Sequence, residues 1–559
     1  MKLLRPLVLV LLASGMMMAQ STTNTNPAPE DSSVASELKA LRQALAEQQN
    51  RIARQEQELD RLRQQVSASS GDATPHVVDA SLHSNSSINA TAVGATDTPQ
   101  ETPKESPLSF RIGAADFTPG GFVDFENVFR TTNTGNVAGT NFWAIPFSNT
   151  PQGHLTEFRA TGQYSRLNLK THAKYGQNDI TGFIEFDFNG NDAANIFVTS
   201  NSHTDRLRHY WLDLKRGKWE FVGGQVWGLL TANRVGAGPV SGDVFTTFNE
   251  DGNHQVGNNF TRAAQFRAIY HFNNQWAWAA GIENPQQFSG QGAEVVFPTA
   301  FNAVLGTQFD AANNAGTPNA SPDIISKLAF DSDLMARHFH FEVGGLFTAV
   351  KVANVPTVAG ATFQGHSKIG GGIETGLSYD LVKGSEGRFL RVVGNGLWGP
   401  GVGRYLLGMG PQAVVVPVSV AGGTCTSAGS CDLDVSMIHA GNALVGVEFV
   451  PHPNAQFGVY YGGAYFQRNA FPDITSAAVV KPTIGFGGIN EANASIQNRA
   501  IQEATFDWIQ TLWKNPQYGA LQLVTQTSYV TRSPWFVPLG APKNAHLTMG
   551  YVSLKYILP

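Results

Sequence analysis

Between Asn178 and Trp227 the chain alternates in character. Ile180, Ile184, Phe186 and Phe188 share one parity, while Thr181, Glu185 and Asp187 share the other. Side chains on a strand point to opposite faces in turn, so one face is apolar and the other carries carboxylates. The segments Leu207–Lys215 and Trp219–Trp227 follow in the same style. From Gly121 to the end of the 559-residue chain such segments recur with hardly a helical stretch between them. No second layer is left to cover so many apolar faces. A barrel with lipid outside and water inside satisfies both faces and leaves no open edge.

The spacing of the connections agrees. Short turns fall at Tyr175-Gly176-Gln177, Arg216-Gly217-Lys218, Asn273-Asn274, Gly384–Gly387, Pro451–Asn454 and Lys514–Pro516. Long connections run over Gly228–Thr261, Asn284–Pro322, Gly401–Asp434 and Asn469–Asn498. Short turns on one rim and long loops on the other are the habit of transmembrane barrels. The expected fold is all-β, a transmembrane antiparallel β-barrel of about 16 strands, preceded by an N-terminal α-helical coiled coil. A propeller or solenoid would show a motif at fixed period, and none is present. Val552, Leu554, Tyr556 and Leu558 alternate into the C-terminus as a closing strand, although the chain ends in Leu558-Pro559 rather than an aromatic residue. Trp276, Trp278, Tyr460, Tyr465 and Trp508 are candidates for interfacial aromatic girdles.

The N-terminal part reads differently. Residues 1–19 read as a secretory leader: Lys2 and Arg5, the apolar run Pro6–Leu12, and a small-residue end at Ala19. A polar linker over 20–33 leads into a heptad over 34–66. There Leu38, Leu45, Ile52, Leu59 and Val66 lie seven apart, with Leu41, Gln48, Gln55 and Leu62 interleaved. That seam predicts a periplasmic coiled coil and hence an oligomer; the competing reading is a single solvated helix. Residues 67–107, rich in Ser, Thr, Asn, Ala and Pro, are expected to be a disordered tether. The barrel domain then occupies 108–559.

Composition narrows the function. Charged residues make up 14% of the chain, against about 25% in ordinary soluble domains. No apolar run beyond the leader is long enough for a spanning helix. A net charge of -5 and the lack of a basic stripe argue against nucleic acid. Cys425 and Cys431 enclose five residues in a loop-like region, which in an exported chain predicts a loop disulfide, the competing reading being two free thiols. No metal or cofactor is expected.

Candidate chemistry lies on the lumen side. The loop after the fifth strand, 228–261, carries Asn233, Arg234, Asp243, Glu250, Asp251 and His254, and is expected to fold inward as a constriction rather than stand out in solvent. Candidate constriction residues are Arg159, Arg166, Arg206, Arg208, Gln225, Arg267 and Arg391 with Glu185 and Asp187; Arg262 and Arg532 recur on strands too. Arg267 shares a parity with Gln265 and opposes Phe266 and Tyr270. Arg391 with Asn395 likewise opposes Leu390 and Val392. Guanidinium groups suit carboxylate solutes, though each alone also serves as an ion-pair partner for Glu185, Asp187 or Asp213. Asp124, Glu126, Glu185, Asp187 and Glu283 could instead favour cations or complete a transverse field.

Several of these segments bear a resemblance to a known family. Gln163–Leu167, Phe183–Phe188, Leu207–Tyr210, Val222–Trp227 and Gln265-Phe266-Arg267 with Tyr270, in the order leader, coil, spacer and barrel, resemble the DcaP-like outer-membrane porins. The resemblance implies a trimeric, sixteen-stranded channel with a periplasmic coil, passing small anionic solutes such as dicarboxylates. It assigns the constriction to Arg166, Arg208, Arg267 and the loop after Trp227. The expected function is therefore an outer-membrane porin for passive diffusion. The expected partners are further copies in a homotrimer, outer-membrane lipid, small anionic solutes and peptidoglycan. An envelope tether, with the barrel mainly as anchor, is the alternative. An enzyme is not expected, since His209, His271 and His340 lack any accompanying nucleophile signature.

Overall fold

In a computed structural model, residues 106–559 are described except 137, 191–202, 312–316, 355–362, 386, 420–430 and 490–492. The expected leader, coiled coil and nearly all of the tether lie outside the described residues. The barrel strands are β1 (Ala115–Arg130), β2 (Glu157–Thr161 and Arg166–Tyr175), β3 (Asn178–Asp187), β4 (Arg206–Arg216), β5 (Trp219–Trp227), β6 (Arg262–His271), β7 (Trp276–Glu283) and β8 (Asp323–Leu334). They continue as β9 (Arg337–Asn354), β10 (Gln364–Lys383), β11 (Phe389–Pro400), β12 (His439–His452), β13 (Ala455–Phe466), β14 (Asn498–Asn515), β15 (Gly519–Pro534) and β16 (Ala545–Ile557).

Each strand pairs antiparallel with its neighbours in sequence. The sheet closes where β1 meets β16, from Phe122↔Ile557 to Arg130↔Met549. Closure leaves no strand edge in the spanning region, which is what hydrocarbon demands of a sheet. One irregularity bears on the lumen. Strand β1 pairs with both pieces of β2, Arg130↔Glu157 near one end and Ala115↔Ala173 at the other. Between the pieces the chain turns at Gln163-Tyr164, and the Ser165 hydroxyl accepts the Asp124 N–H at 2.9 Å that the broken ladder frees. The extra residues push the Tyr164 side chain inward, where it is buried.

The alternation in the sequence is realised strand by strand. Val123, Phe125, Leu212, Phe266, Val445 and Val552 stand exposed on the outer face, while Asp124, Glu126, Asp213, Arg267, Asn442 and Ser553 are buried within. A soluble monomer rarely exposes a continuous apolar patch beyond a few hundred Å². Here the apolar face runs around the sheet, and the medium that matches it is lipid hydrocarbon. Trp276, Trp278 and Tyr465 lie on this outer face as expected, and Trp508 stacks on Phe457 there. Tyr460 does not. It shares parity with the inward positions of β13, is 1% exposed, and its hydroxyl donates to Glu448 at 2.9 Å.

The long connections are not plain loops. Ala413–Ser419 pairs with Cys431–Met437, and Asn469–Pro472 pairs with Thr483–Phe486. Both expected connections thus contain short hairpins whose strands lie outside the barrel sheet. Val414, Val415, Leu433 and Val435 belong to one buried apolar cluster with Phe297, Phe301, Phe309, Tyr405 and Phe486 of the connections and with inward residues of the strands such as Val350 and Val352. Cys431 is disulfide-bonded; Cys425 lies outside the described residues.

Candidate pore constriction

The loop 228–261 enters the barrel and is fastened along its length. At its start Leu229 N–H donates to Glu283 Oε1 on β7 at 2.5 Å, and Lys327 Nζ on β8 donates to Thr231 O at 2.9 Å. Asn233 N–H donates to Glu342 on β9, and Gly236 N–H to Asp331 on β8, each at 2.9 Å. Arg234 then reaches Glu448 on β12 with two hydrogen bonds of 2.8 and 2.5 Å. Further on, Phe248 N–H meets the Tyr460 hydroxyl, and the Glu250 and Asp251 N–H groups converge on Gln526 Oε1 of β15 at 2.8 Å each. Val256 N–H donates to Glu503 on β14 at 2.8 Å, and Asn395 on β11 donates to Asn258 at 2.6 Å. The polar inner faces of strands on every side are thus the anchors of one irregular segment. A buried loop needs such anchors because its backbone groups have no ladder of their own.

Close approach is part of the fit. Gly257 has φ +100°, and a Cβ there would fall 2.3 Å from Ala443 O of β12. A Cβ on Gly462 of β13 would fall 1.9 Å from Val256 O. Only glycine lets loop and wall backbones meet this closely.

Two charge clusters meet the loop and adjoin at the Phe122 ring, which carries Arg166 at 5.3 Å and Lys555 at 4.8 Å. In the first Arg208 donates to Glu185 Oε1 at 2.8 Å and to Asp187 Oδ2 at 2.9 Å, while Arg206 holds Asp187 through a pair of bonds at 3.0 and 2.6 Å. Arg166 and Arg262 complete this group. Arg166 lies over the Phe122 ring and Arg262 over the Trp227 ring, at 5.3 and 5.7 Å. Neither has a carboxylate partner among the described residues. Arg206 and Arg208 thus occupy Glu185 and Asp187, and two of the four guanidinium groups stay without an ion pair among the described residues. His254 of the loop packs edge-on to Phe260, with centroids 4.5 Å apart. Burial and the charges of Arg166, Arg208 and Arg262 hold its imidazole down to about 3.

In the second Asp124 and Glu126 of β1, Lys555 of β16 and Glu250 of the loop meet. Lys555 Nζ lies 2.8 and 3.0 Å from the Glu250 oxygens and 3.4 Å from Asp124 Oδ2. Burial, opposed by Lys555 and reinforced by Asp124, pushes the Glu250 carboxyl up to about 8. Asp243, also on the loop, is raised by burial to about 6.

The remaining candidates take other places. Arg267 faces the lumen but is 2% exposed. Its guanidinium donates to Trp227 O at 2.5 Å, Ala237 O at 3.1 Å and Gln265 Oε1 at 2.8 and 2.5 Å, so it clamps both ends of the loop's first arm. Arg391 is buried against Asp380 at 2.6 Å, one pair removed from the loop. Gln225 bonds the Arg208 carbonyl at 2.8 Å. Arg159 is half-exposed and 3.9 Å from Glu157. Lys555, Glu448, Glu503 and Tyr164 escaped the reading of the sequence. Lys555 was visible in principle, since it opposes Leu554 and Tyr556 in parity; Glu448 and Glu503 become partners only once the loop crosses to them. The strand histidines meet acids or rings: His271 lies 2.9 Å from Glu220, His340 is held between Asp331 and Glu342, and His209 packs on Trp227.

No protein-family model matches the chain, and no curated protein matches it. Among solved structures it is similar to the outer membrane channel DcaP of Acinetobacter baumannii, with 17% identity, a TM-score of 0.51, and coverage of 80% of this chain and 98% of that one. An anion-selective porin from Comamonas acidovorans matches at 10% identity over 79% of this chain and 100% of that one, with a TM-score of 0.40. OprB of Pseudomonas putida matches at 10% over 79% and 94%, also at 0.40. The last two are too distant to bear on this chain. The first shows that the chain has the barrel fold of DcaP, in line with the motifs noted in the sequence.

Proposed function

We propose that the chain is a porin of a Gram-negative outer membrane that passes small hydrophilic solutes and favours anions of the dicarboxylate type. The observation that carries this reading is the cluster of Arg166, Arg206, Arg208 and Arg262, in which only Arg206 and Arg208 have a carboxylate partner among the described residues. A surplus of guanidinium in a low-dielectric lumen attracts anions and offers paired donors that fit a carboxylate. The inward loop 228–261 narrows the passage beside that cluster. Arg159, half-exposed nearer the loop rim, extends the positive surface. The charge pairs at Glu185 and Asp187 hold Arg206 and Arg208 in place without cancelling the group.

In this reading the barrel works as a homotrimer, the heptad over 34–66 supplies the chain-to-chain contact in the periplasm, and Cys431 pairs with Cys425. The test is conductance of the purified full chain in planar bilayers, with reversal potential in a salt gradient and succinate as competitor. Anion preference, closures in steps of three and millimolar succinate block are expected. Cation preference with no effect of succinate would overturn the anion reading, and a silent bilayer from folded protein would overturn the channel.

A further inference from the structure

The second charge cluster has a different chemistry. Asp124, Glu126 and Glu250 each present a carboxylate oxygen within 4.8 Å of the other two, and all three residues are buried. Oxygens on opposite sides of one calcium ion, bound at about 2.4 Å, stand about 4.8 Å apart. The spread therefore fits a single shared ion. Soft or borderline metals prefer sulfur and imidazole, and this donor set is oxygen alone.

The charge balance points the same way. Lys555 is the ammonium in contact with Glu250 and Asp124. Ionised to hold a metal, the three carboxylates have this one ammonium in contact and leave two negative charges for the ion to balance. Glu126 is 0% exposed, and among the described residues neither of its carboxylate oxygens has a hydrogen-bond partner; Asp124 Oδ2 has none either. An unpaired buried carboxylate costs several kcal/mol, far more than a satisfied one. The neighbouring guanidinium of Arg130 is turned to Glu157, Ala138 O and Tyr551. Asp507 of β14 is fully buried as well, with neither oxygen bonded among the described residues.

We propose that Asp124, Glu126 and Glu250 bind one hard divalent cation of the calcium class, which fastens the inward loop to strand β1. The ion would balance the two surplus charges and give the Glu126 oxygens their partner. It would join the loop to the wall at the point where β1 and β16 close the barrel. Bound ion and passing solute occupy different clusters, so the site does not depend on the anion reading.

The experiment uses the full chain, folded in detergent and freed of lipopolysaccharide and divalent ions by chelation. Terbium(III) is added and excited through tyrosine, because Tyr164 and Tyr551 lie within electrostatic reach of Glu126. One saturable terbium ion per chain, displaced by calcium chloride, is expected. Glu126→Gln should weaken it by at least about tenfold, while Glu220→Gln, at the buried carboxylate beside His271 and Lys215, should not. Should Glu126→Gln lose its heat-modifiable folded band, Asp124→Asn gives the same reading. Absence of a saturable signal in the unmodified protein, or unchanged affinity in the folded variants, would overturn the proposal.

Discussion

Arg234 and Glu448 are joined by two parallel hydrogen bonds of 2.8 and 2.5 Å, the arginine on the inward loop and the glutamate on β12. Both are buried, and the Tyr460 hydroxyl donates to the same carboxylate. Removing one partner strands a buried charge, at a cost on the order of 3–5 kcal/mol. Arg234→Ala should therefore release the loop from that wall. Single-channel records should show larger and noisier openings, with the β-barrel circular dichroism unchanged. Steady openings of unmodified size would show that the pair does not hold the loop.

The same docking can be attacked from the wall. Because a Cβ on Gly462 would fall 1.9 Å from Val256 O, Gly462→Val cannot coexist with the docked loop. Its register with Leu444 and Glu503 in the β13 ladders needs no change. Protease accessibility of the loop should rise sharply, together with conductance. A variant as protected as the parent would place the loop elsewhere in solution.

Arg166 and Arg267 should separate in function although both face the lumen. Arg166 has no carboxylate partner among the described residues, so Arg166→Ala should weaken succinate block by about tenfold, the worth of a charged hydrogen bond, and move the reversal potential towards cations. Arg267 is engaged with the carbonyls of Trp227 and Ala237. Arg267→Ala should raise channel noise and lower thermal stability, with selectivity little changed. Equal selectivity shifts in the two variants would contradict this division.

Acid should loosen the loop through His254. Its imidazole is depressed from 6.5 to about 3 while docked, by burial and by Arg166, Arg208 and Arg262. A group with a depressed pKa keeps its full contribution above its free value and loses it as pH falls towards the bound value. Docking should thus weaken progressively from pH 6.5 towards pH 3, by a few kcal/mol at most given partial exposure of the ring. Open-channel noise recorded from pH 7.5 down to pH 4 should rise over that window, and His254→Phe should flatten the rise. A pH response identical in the variant would assign it to another group.

The strand alternation is enough to specify the barrel. In β3, Ile184 and Phe186 against Glu185 and Asp187 fix an apolar and a polar face, because parity on a strand is a local property of the backbone. The same logic put Arg267 and Arg391 inside. Tyr460 was misplaced for the opposite reason: its aromatic ring suggested a girdle although its parity with the inward β13 positions said otherwise. Residue type was the weaker guide there.

Parity tells which side of the sheet a residue occupies and nothing about its partners. That Arg267 clamps the loop while Arg166 makes no ion pair among the described residues was decided by the path of 228–261, which brings Ala237 to one and leaves the other beside Phe122. Likewise Glu250 meets Asp124, Glu126 and Lys555 only because β1 and β16 close the ring and the loop crosses to them, joining residues 305 positions apart. Local alternation determined the barrel and its inner face; long-range closure and the docked loop determined the chemistry on that face, since charge pairing depends on distance in space and the sequence orders residues only along the chain.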